Sequence, residues 1–271
     1  MSRCMKMFKV AVGAMAFFTA YADRASAQET PSLLGDRTAS VTFGPYARAE
    51  FGGSLMGADG GYWLPPGSSD PRISFDASAQ DTFLGSVALG YDWQNGIRAD
   101  LSFLGTGTSD VSGPCSGASD GTPCSDHADI TDASVSTMAA MGNIFYAPLE
   151  ARGSNSVFQP FVAAGVGVAL NEVGAWTREN PGSARPVRTF SGDRSSSLAW
   201  SVGIGASLQV TRAGRWPVIV EAAWRYYDYG TASGGSTPLA GSGTSEPRQP
   251  FSFDLNSQVI SLGVRIPLKR Y

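Results

Sequence analysis

The stretch Val218–Gly230, VIVEAAWRYYDYG, alternates between two kinds of position. Every second residue is apolar or aromatic, whereas the positions between them include Glu221 and Arg225. A period of two residues predicts a β-strand. The period does not say which face points inward, because a soluble barrel buries its apolar face whereas a membrane barrel presents that face to lipid. The remaining segments of the sequence are therefore needed to assign the inward and outward faces.

The N-terminus has the composition of a secretory signal peptide. Basic residues precede a 13-residue apolar run, Val10–Ala22, and Ala25–Ala27 fits a cleavage site. The run is too short to span a bilayer as a helix, which disfavours the alternative of a helical N-terminal anchor. We therefore expect residues 1–27 to be removed and residues 28–271 to form a single domain.

The composition of the remaining chain indicates an all-β protein. The predicted signal peptide carries four basic residues and one acidic residue. The whole chain has 20 basic and 23 acidic residues, so the chain without the signal peptide has 16 basic and 22 acidic residues, a net charge of −6. This charge argues against a nucleic-acid partner. The chain is rich in glycine, with 33 residues, and its apolar residues occur singly in alternating segments, as in β proteins.

Two cysteines remain after removal of the signal peptide, Cys115 and Cys124. In an exported protein such a pair predicts a disulfide. The alternative is a metal site with His127, but this arrangement lacks the two further ligands that a zinc site needs. We expect no metal site.

Eight alternating segments are separated by connections of regular length. Long connections of 26 to 28 residues alternate strictly with short ones of four to ten, and Asn95-Gly96 in the first short connection predicts a type I′ hairpin. Long loops at one end, with short turns and both termini at the other, are typical of outer-membrane barrels. The segments are residues 38–51, 80–92, 97–105, 133–146, 157–170, 197–210, 217–229 and 257–268.

Most segments have one apolar face and one face that mixes charged with small residues. The mixed face suits the narrow lumen of an eight-stranded barrel, so the apolar face should contact lipid. The residues assigned to lipid are Val218, Val220, Ala222, Trp224, Ile260, Leu262, Val264 and Ile266. The residues assigned to an ion-paired network in the lumen are Arg48, Glu50, Arg98, Asp100, Glu221, Arg225 and Arg265. The faces of the fourth segment remain unassigned.

Aromatic residues near the segment ends predict two girdles at the lipid headgroups. Those beside short turns are Tyr91, Trp93, Tyr146, Phe158 and Trp216, and those beside long loops are Phe103, Trp200, Tyr226 and Tyr229. A general preference of aromatic residues for strands is the alternative explanation.

Five stretches of the chain match a known family: GNIFYAP (142–148), PFVAAGVGVALNE (160–172), LAWSVGIGASL (198–208), VEAAWRYYDYG (220–230) and SQVISLGVRIPLKRY (257–271). In these stretches the chain resembles the OmpA-like eight-stranded outer-membrane β-barrels, and more closely the alphaproteobacterial surface-antigen and opacity-type proteins. The resemblance implies insertion by the barrel assembly machinery, which recognises a C-terminal strand that usually ends in an aromatic residue. Tyr271 is terminal here but out of phase with the lipid-facing residues, and we expect the barrel alone, without a peptidoglycan-binding domain.

The long loops differ in charge, which suggests a surface that binds a host ligand, a cation or a neighbour; solvated loops without a partner are the simpler alternative. The acidic residues of the second loop are Asp110, Asp120, Asp126 and Asp129. The charged residues of the third loop are Arg178, Arg185, Arg188 and Arg194 with Glu172, Glu179 and Asp193.

No residue pattern predicts catalysis or a cofactor. His127 is the sole histidine and lies in a loop, and no G-x-S-x-G nucleophile elbow is predicted, because the one stretch with that spacing, Gly117–Gly121, lies in a long loop and not between a strand and a helix. We therefore predict a non-enzymatic integral outer-membrane barrel, in contact with lipid and lipopolysaccharide, with surface loops and periplasmic termini. Its expected role is envelope integrity, adhesion or surface antigen display. A narrow pore and a soluble ligand-binding barrel remain alternatives.

Overall fold

The computed structural model describes residues 43–124, 129–154, 156–182, 186–210 and 217–268. The predicted signal peptide, His127, Trp216 and Tyr271 lie outside these ranges. Within them, no helix is both long and apolar enough to cross a membrane. The elements are β1 (Gly44–Leu64), β2 (Ile73–Phe75), β3 (Ser78–Ala79), β4 (Thr82–Asp92), β5 (Ile97–Thr106), β6 (Ser109–Ala118), β7 (Ile130–Tyr146), α1 (Pro148–Ala151), β8 (Phe158–Val173), β9 (Trp176–Glu179), β10 (Arg188–Phe190), β11 (Asp193–Gln209), β12 (Ile219–Ser233) and β13 (Gln249–Pro267).

Eight antiparallel strands close into a ring in the order β1, β4, β5, β7, β8, β11, β12 and β13. The ring closes where β13 pairs with β1, from Tyr46 opposite Pro267 to Leu64 opposite Gln249. Each strand of the ring corresponds to one predicted segment, so the prediction of an eight-stranded antiparallel up-and-down barrel is confirmed. Because the ring is closed, its main strands leave no free sheet edge.

The first short turn differs from the predicted type I′ hairpin. Positive φ angles occur at Gln94 (62°) and Gly96 (80°), and Asn95 is not among the residues with positive φ. The backbone N–H of Trp93 donates to the carbonyl oxygen of Ile97 at 3.1 Å, which closes a loop longer than two residues. The Asn95 side chain accepts a hydrogen bond from the N–H of Ile97 at 3.0 Å.

Several strands continue further towards the long loops than the sequence predicts. The first segment was expected to end at residue 51, but β1 continues to Leu64. Glycines after Phe51 allow close packing between neighbouring strands of the sheet. A Cβ at Gly52 would lie 2.3 Å from the carbonyl oxygen of Ile260, and a Cβ at Gly57 would lie 2.6 Å from Oδ1 of Asn256.

The long connections form a folded extension of the barrel, which we call the cap. It consists of β2, β3, β6, β9 and β10 with the loop-side ends of the ring strands that pair with them. Where the first two loops meet, the N–H of Ser119 donates to the carbonyl oxygen of Arg72 at 2.9 Å, and the Arg72 guanidinium stacks 3.6 Å from the Tyr62 ring centroid. The expectation of long connections without regular structure is therefore wrong.

An aromatic core holds the cap together. Trp176 stacks on Phe190 with ring centroids 4.2 Å apart and meets Trp63 edge-on at 6.1 Å. Its indole N–H donates to the carbonyl oxygen of Gly235 at 2.8 Å, so the polar edge of the ring is satisfied. Phe75 and Phe251 pack edge-on in the same cluster. Burying several such rings stabilises a segment that lacks long strands of its own.

The structure also assigns the faces of the fourth predicted segment, now β7. Its odd-numbered residues point inward and are buried, including Met141 and Phe145, whereas Met138 and Ile144 are exposed on the outer wall. Both faces carry large apolar side chains. This is the physical reason why alternation alone did not distinguish them.

Candidate functional site

The seven charged residues predicted for the lumen all lie buried inside the barrel, on β1, β5, β12 and β13. Alternation places them there, because every second side chain of a strand points to the same face. They form two chains of ion pairs, which we call the first and second circuits.

The first circuit joins Arg225, Glu50, Arg48 and Asp100. Arg48 contacts the Glu50 carboxylate, and its Nε lies 3.0 Å from Oδ2 of Asp100. Nη2 of Arg225 lies 3.6 Å from Oε2 of Glu50. The Ser261 hydroxyl also donates to Glu50. The circuit contains two cations and two anions and is therefore neutral.

The second circuit joins Arg98, Glu221, Arg265 and Asp92. Glu221 accepts hydrogen bonds from Arg98 and from Nε of Arg265, the latter at 2.9 Å. Nη1 of Arg265 lies 3.1 Å from Oδ2 of Asp92. The sequence analysis missed Asp92, because this residue ends β4 beside a turn and was not assigned to either face. With Asp92 included, the second circuit is neutral as well.

Phe145 provides a surface shared by both circuits. The guanidinium carbons of Arg48, Arg98 and Arg225 lie 5.3, 4.3 and 5.3 Å from its ring centroid. Cations are attracted to the face of an aromatic ring, more strongly where water is excluded. The guanidinium carbon of Arg98 also lies 4.8 Å from the ring centroid of the neighbouring Phe161. These two rings were not among the predicted lumen residues.

Polar neutral side chains complete the network. Asn143 donates to Oδ1 of Asp100 at 2.7 Å and to the hydroxyl of Ser102 at 2.9 Å. The Tyr46 hydroxyl donates to Oδ2 of Asp100 at 3.2 Å. Buried charges are tolerated where they are paired and hydrogen-bonded, and Asp100 meets both conditions.

The lumen is filled on the loop side of the ion pairs too. Met56, Leu84, Leu104, Met141 and Val259 are buried and belong to the same apolar cluster as the aromatic core of the cap. Towards the short turns, a small depression has Arg98, Phe145 and Phe161 among its lining residues. The arrangement is therefore a neutral plug followed by an apolar layer.

The eight residues predicted to contact lipid lie on the outer face of the barrel. Ile260 and Leu262 are each 66% exposed, and Val264 and Ile266 are 40% and 38% exposed. On β12, Ala222 is exposed, and Val220 and Trp224 are half-buried between inward-facing neighbours. Val218, which directly precedes β12, is half-buried as well.

Aromatic residues occupy both ends of the outer wall, with one correction. Near the short turns, Tyr91 and Trp93 pack together at 5.4 Å; towards the cap, Trp200 and Tyr226 pack at 5.4 Å. Tyr229 does not belong to a girdle, because it is fully buried and hydrogen-bonded to Ser257 at 3.2 Å. It had been placed by its nearness to a loop, but it follows the inward phase of Arg225 and Tyr227. The remaining predicted members with described side chains are Tyr146 and Phe103, which are exposed, and Phe158, which is half-buried.

The cap contains the predicted cysteine pair and a buried ion pair. Cys115 and Cys124 form a disulfide with their Cα atoms 5.8 Å apart. Arg178 of the third loop pairs with Asp129 of the second, and both side chains are buried. Two of the loop charges therefore join the loops instead of facing solvent. Asp126 and Arg185 lie outside the described residues.

No protein-family model and no curated protein matches the chain. Neisserial surface protein A is similar in structure at 15% sequence identity, with 83% of this chain and 97% of that chain covered and a TM-score of 0.41. The outer membrane protein OprG from Pseudomonas aeruginosa is similar at 12% sequence identity, with 83% of this chain and 97% of that chain covered and a TM-score of 0.44. The outer membrane protease OmpT from Escherichia coli is similar at 10% sequence identity, with 89% of this chain and 99% of that chain covered and a TM-score of 0.43. At such values these similarities assign neither activity nor ligand to the chain.

The expectation that this chain is not an enzyme stays a prediction. Among the described residues, no group of three or more histidine, cysteine, aspartate or glutamate side chains is arranged to hold a metal ion. The sole histidine lies outside those residues.

Proposed function

We propose that the chain is an integral protein of the bacterial outer membrane that presents a folded cap at the cell surface and acts in envelope integrity, adhesion or antigen display. The observation that carries this proposal is the inverted distribution of side chains across the barrel wall. Paired charged residues occupy the interior towards the short turns, and large apolar residues cover the exterior.

The exterior suits a lipid environment. Large apolar side chains are more than half exposed on strands all around the ring, including Phe51 on β1, Leu89 on β4, Met138 on β7, Leu198 on β11 and Leu262 on β13. A soluble monomer rarely exposes a continuous apolar surface of this extent. A barrel is also one of only two architectures that satisfy every backbone hydrogen bond inside a bilayer.

The interior argues against both alternatives. A soluble ligand-binding barrel needs an apolar cavity within a polar wall, and this barrel has the opposite arrangement. A narrow pore needs a continuous wet path, whereas the two circuits, the apolar layer and the aromatic core follow one another along the axis. A plugged lumen favours a role that depends on the outer surface.

The proposed orientation places the cap outside the cell and both termini in the periplasm. The outer wall would contact lipid and lipopolysaccharide, and the barrel assembly machinery would insert the chain. A host-surface ligand bound by the cap is the partner we propose for adhesion. The ordered sheet of the cap supports this role, because a rigid surface loses little conformational entropy on binding.

Cell fractionation combined with protease treatment of intact cells tests the proposal. We expect the chain in the outer-membrane fraction, and a protease that cannot enter cells should cut within the cap while leaving the barrel strands intact. Recovery in a soluble fraction would overturn the membrane assignment. Cleavage only after the outer membrane is permeabilised would reverse the orientation.

A further inference from the structure

We propose that the disulfide between Cys115 and Cys124 is a redox-sensitive latch that holds the cap closed. It lies in the second loop, where β6 joins the cap sheet. One of its two half-cystines is connected, through a short series of contacts, to the aromatic core.

The first contact is in the backbone. The N–H of Cys115 donates to the carbonyl oxygen of Asp129 at 2.8 Å, directly after the last β6–β7 pair, Pro114 opposite Ile130. On the other edge of β6, Cys115 lies opposite Phe75 of β2. Cys115 is therefore fixed between two strands of the cap.

The second contact leads from Asp129 to the core. Its carboxylate, in a residue only 1% exposed, pairs with Arg178 of β9. The Arg178 guanidinium lies 4.1 Å from the ring centroid of Trp63, which in turn contacts Trp176. Displacing Asp129 would thus remove one charged partner of a buried cation that covers the aromatic core.

The buried pair makes closure of the cap sensitive to a small change. Both ions lose hydration when the cap is closed, and their mutual attraction compensates only while the geometry is kept. The disulfide restricts the number of conformations that the open form can adopt, which favours the closed form. Once the bond is reduced, the open form can adopt more conformations, which favours opening of the cap. Both ions are hydrated again when the cap opens.

The bond is positioned for reaction with a small reductant. Both cysteines are half-buried, and the neighbouring Pro114, Ser116 and Pro123 are exposed. The thiolate of a dithiol attacks one sulfur and releases the other as a thiolate, which is protonated. The second thiol of the reductant, as its thiolate, then displaces the cysteine from the mixed disulfide. The dithiol leaves as a cyclic disulfide, and the chain keeps two thiols.

Hydrogen exchange before and after reduction with dithiothreitol tests the latch in the folded protein in lipid vesicles. The informative peptide covers β9, Trp176–Glu179, which lies outside the loop that the disulfide closes. We expect its exchange to become at least ten times faster after reduction, while peptides from Ile219–Tyr226 in the barrel wall stay within a factor of two. Faster exchange confined to β6 would overturn the latch and leave a local crosslink. Faster exchange of the barrel wall as well would also overturn it.

Two variants separate the latch from side effects of the reductant. Cys115→Ser combined with Cys124→Ser should show the fast β9 exchange without reductant, and dithiothreitol should then change nothing further. Asp129→Asn keeps the disulfide but weakens the pair with Arg178, so it too should accelerate β9 exchange. Unchanged β9 exchange in Asp129→Asn would show that the ion pair does not transmit closure.

Discussion

Replacing Glu221 with glutamine tests whether the ion pairs of the lumen are dry. The Glu221 side chain is 5% exposed and balances Arg98 and Arg265. In the variant, Arg265 keeps Asp92, but Arg98 keeps only the ring faces of Phe145 and Phe161 as favourable contacts among those described above. Removing one partner of a buried pair costs about 3 to 5 kcal/mol, because the other charge stays buried without compensation.

Glu172→Gln provides the matched control. Glu172 also pairs with an arginine, Arg194, at 2.9 Å, but the two side chains are 53% and 74% exposed. Water screens such a pair, so its loss should cost about 0 to 1 kcal/mol. Both changes remove one negative charge from a glutamate–arginine pair, and burial is the principal difference between the two sites.

The assay is equilibrium unfolding by urea from lipid vesicles, followed by tryptophan fluorescence, with both variants measured beside the unchanged protein. We expect the midpoint of Glu221→Gln to fall well below that of Glu172→Gln. If the two variants lose equal stability, within about 1 kcal/mol, then water solvates the circuits and the reasoning about a dry plug is refuted. Adding Arg98→Gln to Glu221→Gln should recover part of the loss, because the unpaired cation disappears.

Four further outcomes follow from the wall, the lumen and the cap. Val220→Arg should cost roughly 2 to 4 kcal/mol in the same unfolding assay, since it places a cation on the lipid-facing surface; a cost as small as that of Val220→Leu would reject the assigned face. The unchanged protein in planar bilayers should conduct ions feebly or not at all, and steady conductance of general-porin size would favour the pore. Trp176→Ala should cost about 3 to 5 kcal/mol within the cap and make protease cleavage of the cap faster than in the unchanged protein; an unaltered cleavage rate would contradict a cap held by its aromatic core. Thiol titration of the unreduced protein should find no free thiol from Cys115 or Cys124, and two free thiols would contradict the disulfide.

Alternation predicted the lumen network because the period of a strand fixes the face of every residue once one face is assigned. Arg98 and Asp100 needed no knowledge of their partners to be placed inside. Asp92 was missed because it lies at the junction of a strand and a turn, where the period ends. Phe145 was missed because its strand is apolar on both faces.

The cap was not predictable from local patterns. Its strands β2, β9 and β10 have three or four residues each, too few to show a period. Their pairing is also distant in sequence, as for Phe75 opposite Cys115. These segments were predicted as parts of long loops, whereas tertiary packing around the tryptophans determines their structure.

The folded cap has a consequence for immune recognition. Its outer surface joins side chains from separate parts of the chain, as where Tyr62, Arg72 and Ser119 meet. An antibody that binds there contacts a discontinuous epitope, which a synthetic peptide copied from one loop does not reproduce. Serological reagents raised against such peptides should therefore recognise the denatured chain better than the folded protein. A useful immunogen would have to contain the whole barrel with its cap.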